Sequence, residues 1–330
     1  MPDIGLGLAL VLLLILGAEF VNGWTAAPNA IATVLSTRSL SPYQAVVMAA
    51  ALNLLGTLSG TAVAATIGKG IIDPQVIDLT TVGGAMVGII LWSSIAARWG
   101  LPTSESHALV AGLAGAGMAT AGPEVLILSG WKKVLIGLGF STFLGLAGGR
   151  IMIGLVQRLF QRATPGRVRG LFRWLQVLSS AFMAFSHGSN DGQKFMGAFT
   201  LALVIGGVLP VFQVPIAVIL LCAGVMALGT LTGGWRIMRT MGMRITKLQA
   251  HQGFCAEMAA ATTIELASRL GIPLSTTHTI TTAIVGVGTA RGIKAVRWGV
   301  TVELVTAWIL TFPICALTSY VVVFVLRALK

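Results

Sequence analysis

Apolar runs long enough to cross a lipid bilayer follow one another along nearly the whole chain, and no other feature limits its fold so strongly. A run of roughly 17–25 residues spans a hydrocarbon core about 30 Å thick. Such runs lie near Ile4–Val21, Tyr43–Ile67, Thr80–Ala97, Ser106–Ala121 and Lys133–Val156, then near Leu171–Ser186, Val214–Gly234, His251–Ser268, Thr279–Ala290 and Val296–Leu326. Two further stretches, Ile31–Leu40 and Phe195–Leu209, read as extra passes or, preferably, as continuations of broken helices. Only 10% of the residues are charged, where a soluble domain carries about a quarter. The expected fold class is therefore an all-α polytopic membrane protein. Ile4–Ala18 has no basic segment before it and is preceded by Asp3, so it reads as a retained first helix rather than a signal peptide.

The net charge of +12 would suggest nucleic acid in a soluble protein. Here the basic residues occupy short loops between apolar runs, as the positive-inside rule expects, so no nucleic-acid partner is expected. Cys222, Cys255 and Cys315 lie scattered in apolar runs and read as small hydrophobes. The chain has no HExxH, GxSxG or P-loop motif and no soluble domain to receive ATP, which argues against an enzyme.

Polar groups placed in this apolar background need a reason, because an ionisable group at membrane depth costs at least about 2.5–3.5 kcal/mol. Phe185–Phe195 holds His187, Asn190, Asp191, Gln193 and Lys194, and its Gly188 and Gly192 are expected to interrupt a helix. Phe20–Ala30 aligns with it without gaps, Asn22 on His187, Gly23 on Gly188, Ala26 on Asp191 and Asn29 on Lys194. A second pair matches as well: Ala97–His107 aligns with Ser268–His278 at Arg, Gly, Pro, Ser and His. Two matching motifs in the same order indicate a duplicated unit, 1–160 and 161–330, joined by an Arg-rich linker at about 158–173. If that linker is cytoplasmic and each half crosses about five times, both termini lie outside and the repeats are inverted, with broken or re-entrant helices forming a midplane site.

The Pro-Ser/Thr segments place Ser104, Glu105 and Ser106, and Ser275, Thr276 and Thr277, at or near helix N-termini. Unpaired N–H groups and the positive dipole end make such a terminus an anion site, and the hydroxyls can also ligate a small cation. With Asn190, Asp191, Gln193 and Lys194 these residues form the candidate anion site. Asn22, Asn29, Asn190, Asp191, Glu257, Ser104 and Ser275 form the candidate cation positions, where oxygen ligands suit Na+. His107, His187 and His278 are expected to orient the turns. Glu19 is expected either to ligate an ion or to pair with Lys194, and Glu265 and Glu303 to be structural.

These motifs resemble the inorganic phosphate transporter (PiT) family over essentially the whole chain. Ser186–Lys194 resembles the bacterial form of the second signature and Asn22–Asn29 the first, and Pro273–His278 and Gly253–Glu257 are also similar to family sequences. The resemblance implies symport of inorganic phosphate with Na+ or H+ as coupling ion and no other cofactor. It also implies a multi-pass protein of the prokaryotic inner membrane, commonly a homodimer. By position it carries over Asn22, Asn29, His187, Asn190, Asp191, Glu257, Ser104 and Ser275. One departure stands out, since the first signature normally has an acidic residue where this chain has Ala26. A sulfate or other oxyanion permease of the same fold and a non-transporting sensor or scaffold are the competing readings.

Overall fold

The computed structural model describes residues 5–329, so the expectations resting on Asp3 and Ile4 lie outside it. Among the described residues the chain is helical almost throughout, and four helical stretches are long and apolar enough to span a membrane: Leu6–Ser36, Leu79–Trp99, Leu128–Leu159 and Trp298–Ala328. Two bent pairs raise this to as many as six. The protein is a multi-pass membrane protein.

Helices follow one another along the chain with short connections. In the first half they are α1 (Leu6–Ala26), α2 (Pro28–Ser36), α3 (Pro42–Thr57), α4 (Ala62–Gly70), α5 (Leu79–Trp99), α6 (Glu105–Ala121) and α7 (Leu128–Leu159). In the second they are α8 (Pro165–Ile205), α9 (Ile216–Thr232), α10 (Trp235–Arg239), α11 (Ala250–Arg269), α12 (Thr276–Thr289) and α13 (Trp298–Ala328). The pass expected over Tyr43–Ile67 is a bent pair, α3 and α4 meeting at 69°, and α9 bends by 65° into the segment that begins with α10. Both α5 and α11 are followed by a left-handed glycine, Gly100 (φ 72°) and Gly271 (φ 66°), a conformation glycine adopts without a Cβ penalty.

The halves interlock rather than standing apart as separate bodies. α6 of the first half packs along α13 of the second, and α12 packs along α7; α3 crosses α8, and α9 crosses α1. Leucine, isoleucine and phenylalanine side chains on the outer faces of α7 and α13, such as Leu135, Phe143, Ile309 and Phe324, are exposed, as a lipid-facing surface requires.

The glycines of the polar motifs do not break their helices as expected. α8 continues unbroken through Gly188 and Gly192, and Phe195–Leu209 largely extends it. α1 passes to α2 at Ala27, whose own backbone stays helical (φ −56°, ψ −31°), with Pro28 at the first position of α2. The glycines serve close packing instead. A Cβ on Gly188 would lie 2.1 Å from the carbonyl oxygen of Asn53 on α3. The reciprocal crossing is alike, since a Cβ on Gly23 would lie 2.3 Å from the carbonyl oxygen of Met226 on α9. Without a hydrophobic drive between helices in lipid, small residues that let backbones touch are what hold such crossings together. Gly188→Ala is therefore expected to cost about 1–3 kcal/mol or more through overpacking. Gly166→Ala, where no atom lies within 4 Å of the added Cβ, is expected to leave the melting temperature in detergent unchanged.

Candidate substrate and cation site

Two helix N-termini meet tip to tip inside the protein. Ser104 caps α6 by accepting from the His107 backbone N–H at 3.3 Å, and Ser275 caps α12 by accepting from that of His278 at 3.2 Å. Ser106 Oγ then donates to the Leu274 carbonyl at 2.7 Å, and Thr277 Oγ1 donates to the Thr103 carbonyl at 3.0 Å. Each turn thus ties its first hydroxyls to the backbone entering the other. All six residues of the two expected hydroxyl turns, Ser104, Glu105, Ser106, Ser275, Thr276 and Thr277, are buried.

The second motif delivers charge to this junction. Lys194 Nζ donates to Ser106 Oγ at 2.5 Å, to the Leu274 carbonyl at 2.9 Å, and to Asp191. The second carboxylate oxygen of Asp191 accepts from Thr276 Oγ1 at 2.9 Å and lies 3.2 Å from His187 Nε2. On its other side His187 Nδ1 lies 3.0 Å from Asn53 Oδ1. Asp191, Lys194 and His187 sit at spacings of three and four on α8, so an unbroken helix is what places them on one face.

Three residues expected at the anion site point elsewhere. Asn190 donates to Ser268 Oγ at 2.9 Å, and Gln193 Oε1 accepts the Val63 N–H at 2.9 Å, capping the start of α4. Glu105 turns towards α1 and α5, where its carboxylate accepts from Thr25 Oγ1 at 2.8 Å and Ser93 Oγ at 2.7 Å. The reason is rotation about the helix: neighbours one residue apart face about 100° from each other, so Asn190 and Gln193 cannot share the face that carries Asp191 and Lys194.

The cation positions fall into separate groups. Asn29 Nδ2 donates to Thr277 Oγ1 at 2.8 Å, which links the first motif to the junction. Asn22 Nδ2 donates to Glu19 at 3.0 Å, so Glu19 pairs with Asn22 and not with Lys194. Glu257 on α11 is buried and accepts from the hydroxyls of Thr33 and Ser179. Several buried oxygens are left without a hydrogen-bond partner: Glu19 Oε1, Asn22 Oδ1, Asn29 Oδ1 and Asn190 Oδ1.

The turn histidines behave differently from the expectation of hydrogen-bonded orienters. Their backbone N–H groups make the caps, but the ring nitrogens of His107 and His278 make no hydrogen bond of ordinary geometry. The rings pack instead, edge to face at 4.5 Å, with His278 stacked on Trp308 at 3.7 Å. Glu265 pairs with Arg269 at 3.0 Å and Glu303 with Arg244 at 3.1 Å, both away from the junction.

Thr25, Thr33, Ser93 and Ser179 were not singled out in the sequence, although a signal for two of them exists. Asn22, Asn29 and Thr33 recur at helical spacing along α1 and α2 in otherwise apolar sequence, as Ser179, His187, Asp191 and Lys194 do along α8.

The sequence profile of the phosphate transporter family matches residues 22–319, a span that contains every group in this junction. The chain belongs to the phosphate transporter family. A "probable low-affinity inorganic phosphate transporter" of Rhizobium meliloti is 45% identical over 303 residues, covering 91% of both chains. A protein of the same description from Bacillus subtilis is 35% identical over 321 residues, covering 96% of both. Among solved structures, "The sodium-dependent phosphate transporter" superposes with a TM-score of 0.90 at 25% identity, over 98% of this chain and 100% of that one. These relatives of the phosphate transporter family are transporters, not enzymes.

Proposed function

We propose that this member of the family is a secondary symporter of inorganic phosphate coupled to Na+ or H+, with its two halves related as inverted repeats and the Arg-rich linker on the cytoplasmic side. The meeting of the α6 and α12 N-termini supports the anion site. Two dipole ends and the hydroxyls of Ser106, Thr276 and Thr277 converge there beside Lys194, a combination suited to a tetrahedral oxyanion. Phosphate has an advantage over sulfate at this place, because near neutral pH it still carries a proton that Asp191 can accept as a hydrogen bond.

Buried charge supports the coupling. Among the described residues, Glu19, Glu105, Asp191 and Glu257 are buried carboxylates, while Lys194 is the one buried lysine or arginine. Asp191 has Lys194; the other three hold only hydroxyl and amide donors. An unpaired carboxylate at membrane depth is costly, so each needs a proton or a bound cation. Loading those positions as phosphate enters is the physical content of symport. The relatives' names give inorganic phosphate as their substrate, and the structural neighbour's title makes that transporter sodium-dependent.

The test is uptake of labelled phosphate into proteoliposomes under an inward sodium gradient, an inward proton gradient or neither. Phosphate is expected to accumulate under one gradient, with excess sulfate failing to compete. Sulfate accumulation in place of phosphate supports the oxyanion permease, and no flux of either supports the sensor.

A further inference from the structure

The two halves contain one contact with its chemistry exchanged. In the second half, Thr276, the first residue of α12, donates its hydroxyl at 2.9 Å to Asp191 of the polar motif. Through the internal alignment, Glu105, the first residue of α6, takes the place of Thr276, Ala26 that of Asp191, and Thr25 that of Asn190. The contact persists in the first half, but there the half-helix supplies the carboxylate and the motif supplies the hydroxyl, Glu105 accepting from Thr25 Oγ1 at 2.8 Å. Each half thus has one carboxylate–hydroxyl bridge between its motif and its half-helix. Only the side that carries the carboxylate differs.

A second observation places unused oxygen donors on the helix that carries Thr25. Glu19, Asn22 and Ala26 lie at spacings of three and four on one face of α1, all buried, and Glu19 Oε1 and Asn22 Oδ1 have no hydrogen-bond partner. A carboxylate, an amide oxygen and neighbouring hydroxyls are the oxygen donors a small hard cation takes. The charge balance also accounts for Ala26. An acid there would add a further carboxylate to a buried region that already holds Glu19, Glu105 and Asp191.

We propose that Glu105 is the cation-holding carboxylate of the first half, supplying from the N-terminus of α6 what the motif lacks at Ala26, with Glu19 and Asn22 as further ligands. The proposal rests on the symport reading for its place in the cycle, but its test does not need transport.

Purified protein is melted in detergent across a sodium titration at constant total salt, with choline replacing sodium, for the unmodified chain, E105T, E105Q and the exchange variant E105T/A26D. Sodium is expected to stabilise the unmodified chain. The half-effective sodium concentration should rise at least tenfold in E105T and E105Q, and return to within threefold in E105T/A26D, where the carboxylate is restored to the motif as in the second half. E105Q keeps the size and hydrogen-bonding reach of the side chain, so it decides the matter if E105T does not fold. No sodium stabilisation of the unmodified chain, an unchanged midpoint in E105Q, or a folded exchange variant without recovery overturns the proposal. Phosphate uptake by the unmodified chain is measured alongside: its absence defeats the symport reading, while the sodium titration still judges Glu105.

Discussion

Asp191→Ala is expected to abolish phosphate uptake and to cost about 3–5 kcal/mol of stability, the largest single effect in the molecule. The carboxylate forms the direct ion pair with buried Lys194, and it also receives the hydroxyl of Thr276 and faces His187. Removing one partner of a buried pair leaves the other charge without compensation, which is the expensive way to break it. Removing both is different. Neutral replacement of a buried pair is often close to neutral in stability, so Asp191→Asn combined with Lys194→Met should regain most of the lost melting temperature. Uptake should stay absent in that double variant, because the anion junction has lost both its cation and its hydrogen-bond acceptor. Thermal melting in detergent together with vesicle uptake separates the two effects. A double variant that transports would remove the pair from the mechanism.

Glu257→Gln is expected to reduce gradient-driven uptake at least tenfold while changing stability by no more than about 1 kcal/mol. The amide oxygen can still accept from Thr33, and the amide NH2 can donate to the Ser179 hydroxyl, which keeps the Gln176 carbonyl as its own acceptor, so packing and hydrogen bonding survive and the burden of an unpaired buried carboxylate disappears. What is lost is the ability to take up and release a proton or cation. The group stands apart from the junction, on α11, where it is reached from α2 through Thr33 and from α8 through Ser179. Asn29, the second residue of α2, lies beside Thr277, so the same short helix touches both the anion junction and this carboxylate. Coupling between the two is expected to travel through it. Uptake by Glu257→Gln at the unmodified rate and with the same cation dependence would show that this carboxylate plays no part.

Much of this arrangement was legible in the chain itself. The Pro-Ser/Thr segments announced helix starts, and Ser104 and Ser275 are the caps, because a short hydroxyl side chain before a helical run is the group best placed to satisfy the first free N–H groups. The internal alignment put Gly100 opposite Gly271, and both are left-handed at the end of a helix. The glycines of the motifs misled. Gly188 and Gly192 have low intrinsic helix propensity, by about 1 kcal/mol each, yet α8 runs through them because the absent side chains admit the backbone and Thr57 side chain of α3. That neighbour lies more than a hundred residues away in sequence, and propensity contains no information about it. Likewise, nothing local to Glu105 reveals that it faces Thr25 and Ser93 rather than the junction; the direction follows from how α6 is seated against α1 and α5.

Phosphate is expected to cross only together with a cation, which is measured by counting both in the same vesicles. Labelled phosphate and either labelled sodium or a pH-reporting dye are followed together in proteoliposomes holding the unmodified chain. The expected result is phosphate entry accompanied by a fixed ratio of cations, each flux stopping when the other substrate is withheld. Phosphate entry that proceeds unchanged with no movement of sodium or protons would contradict it.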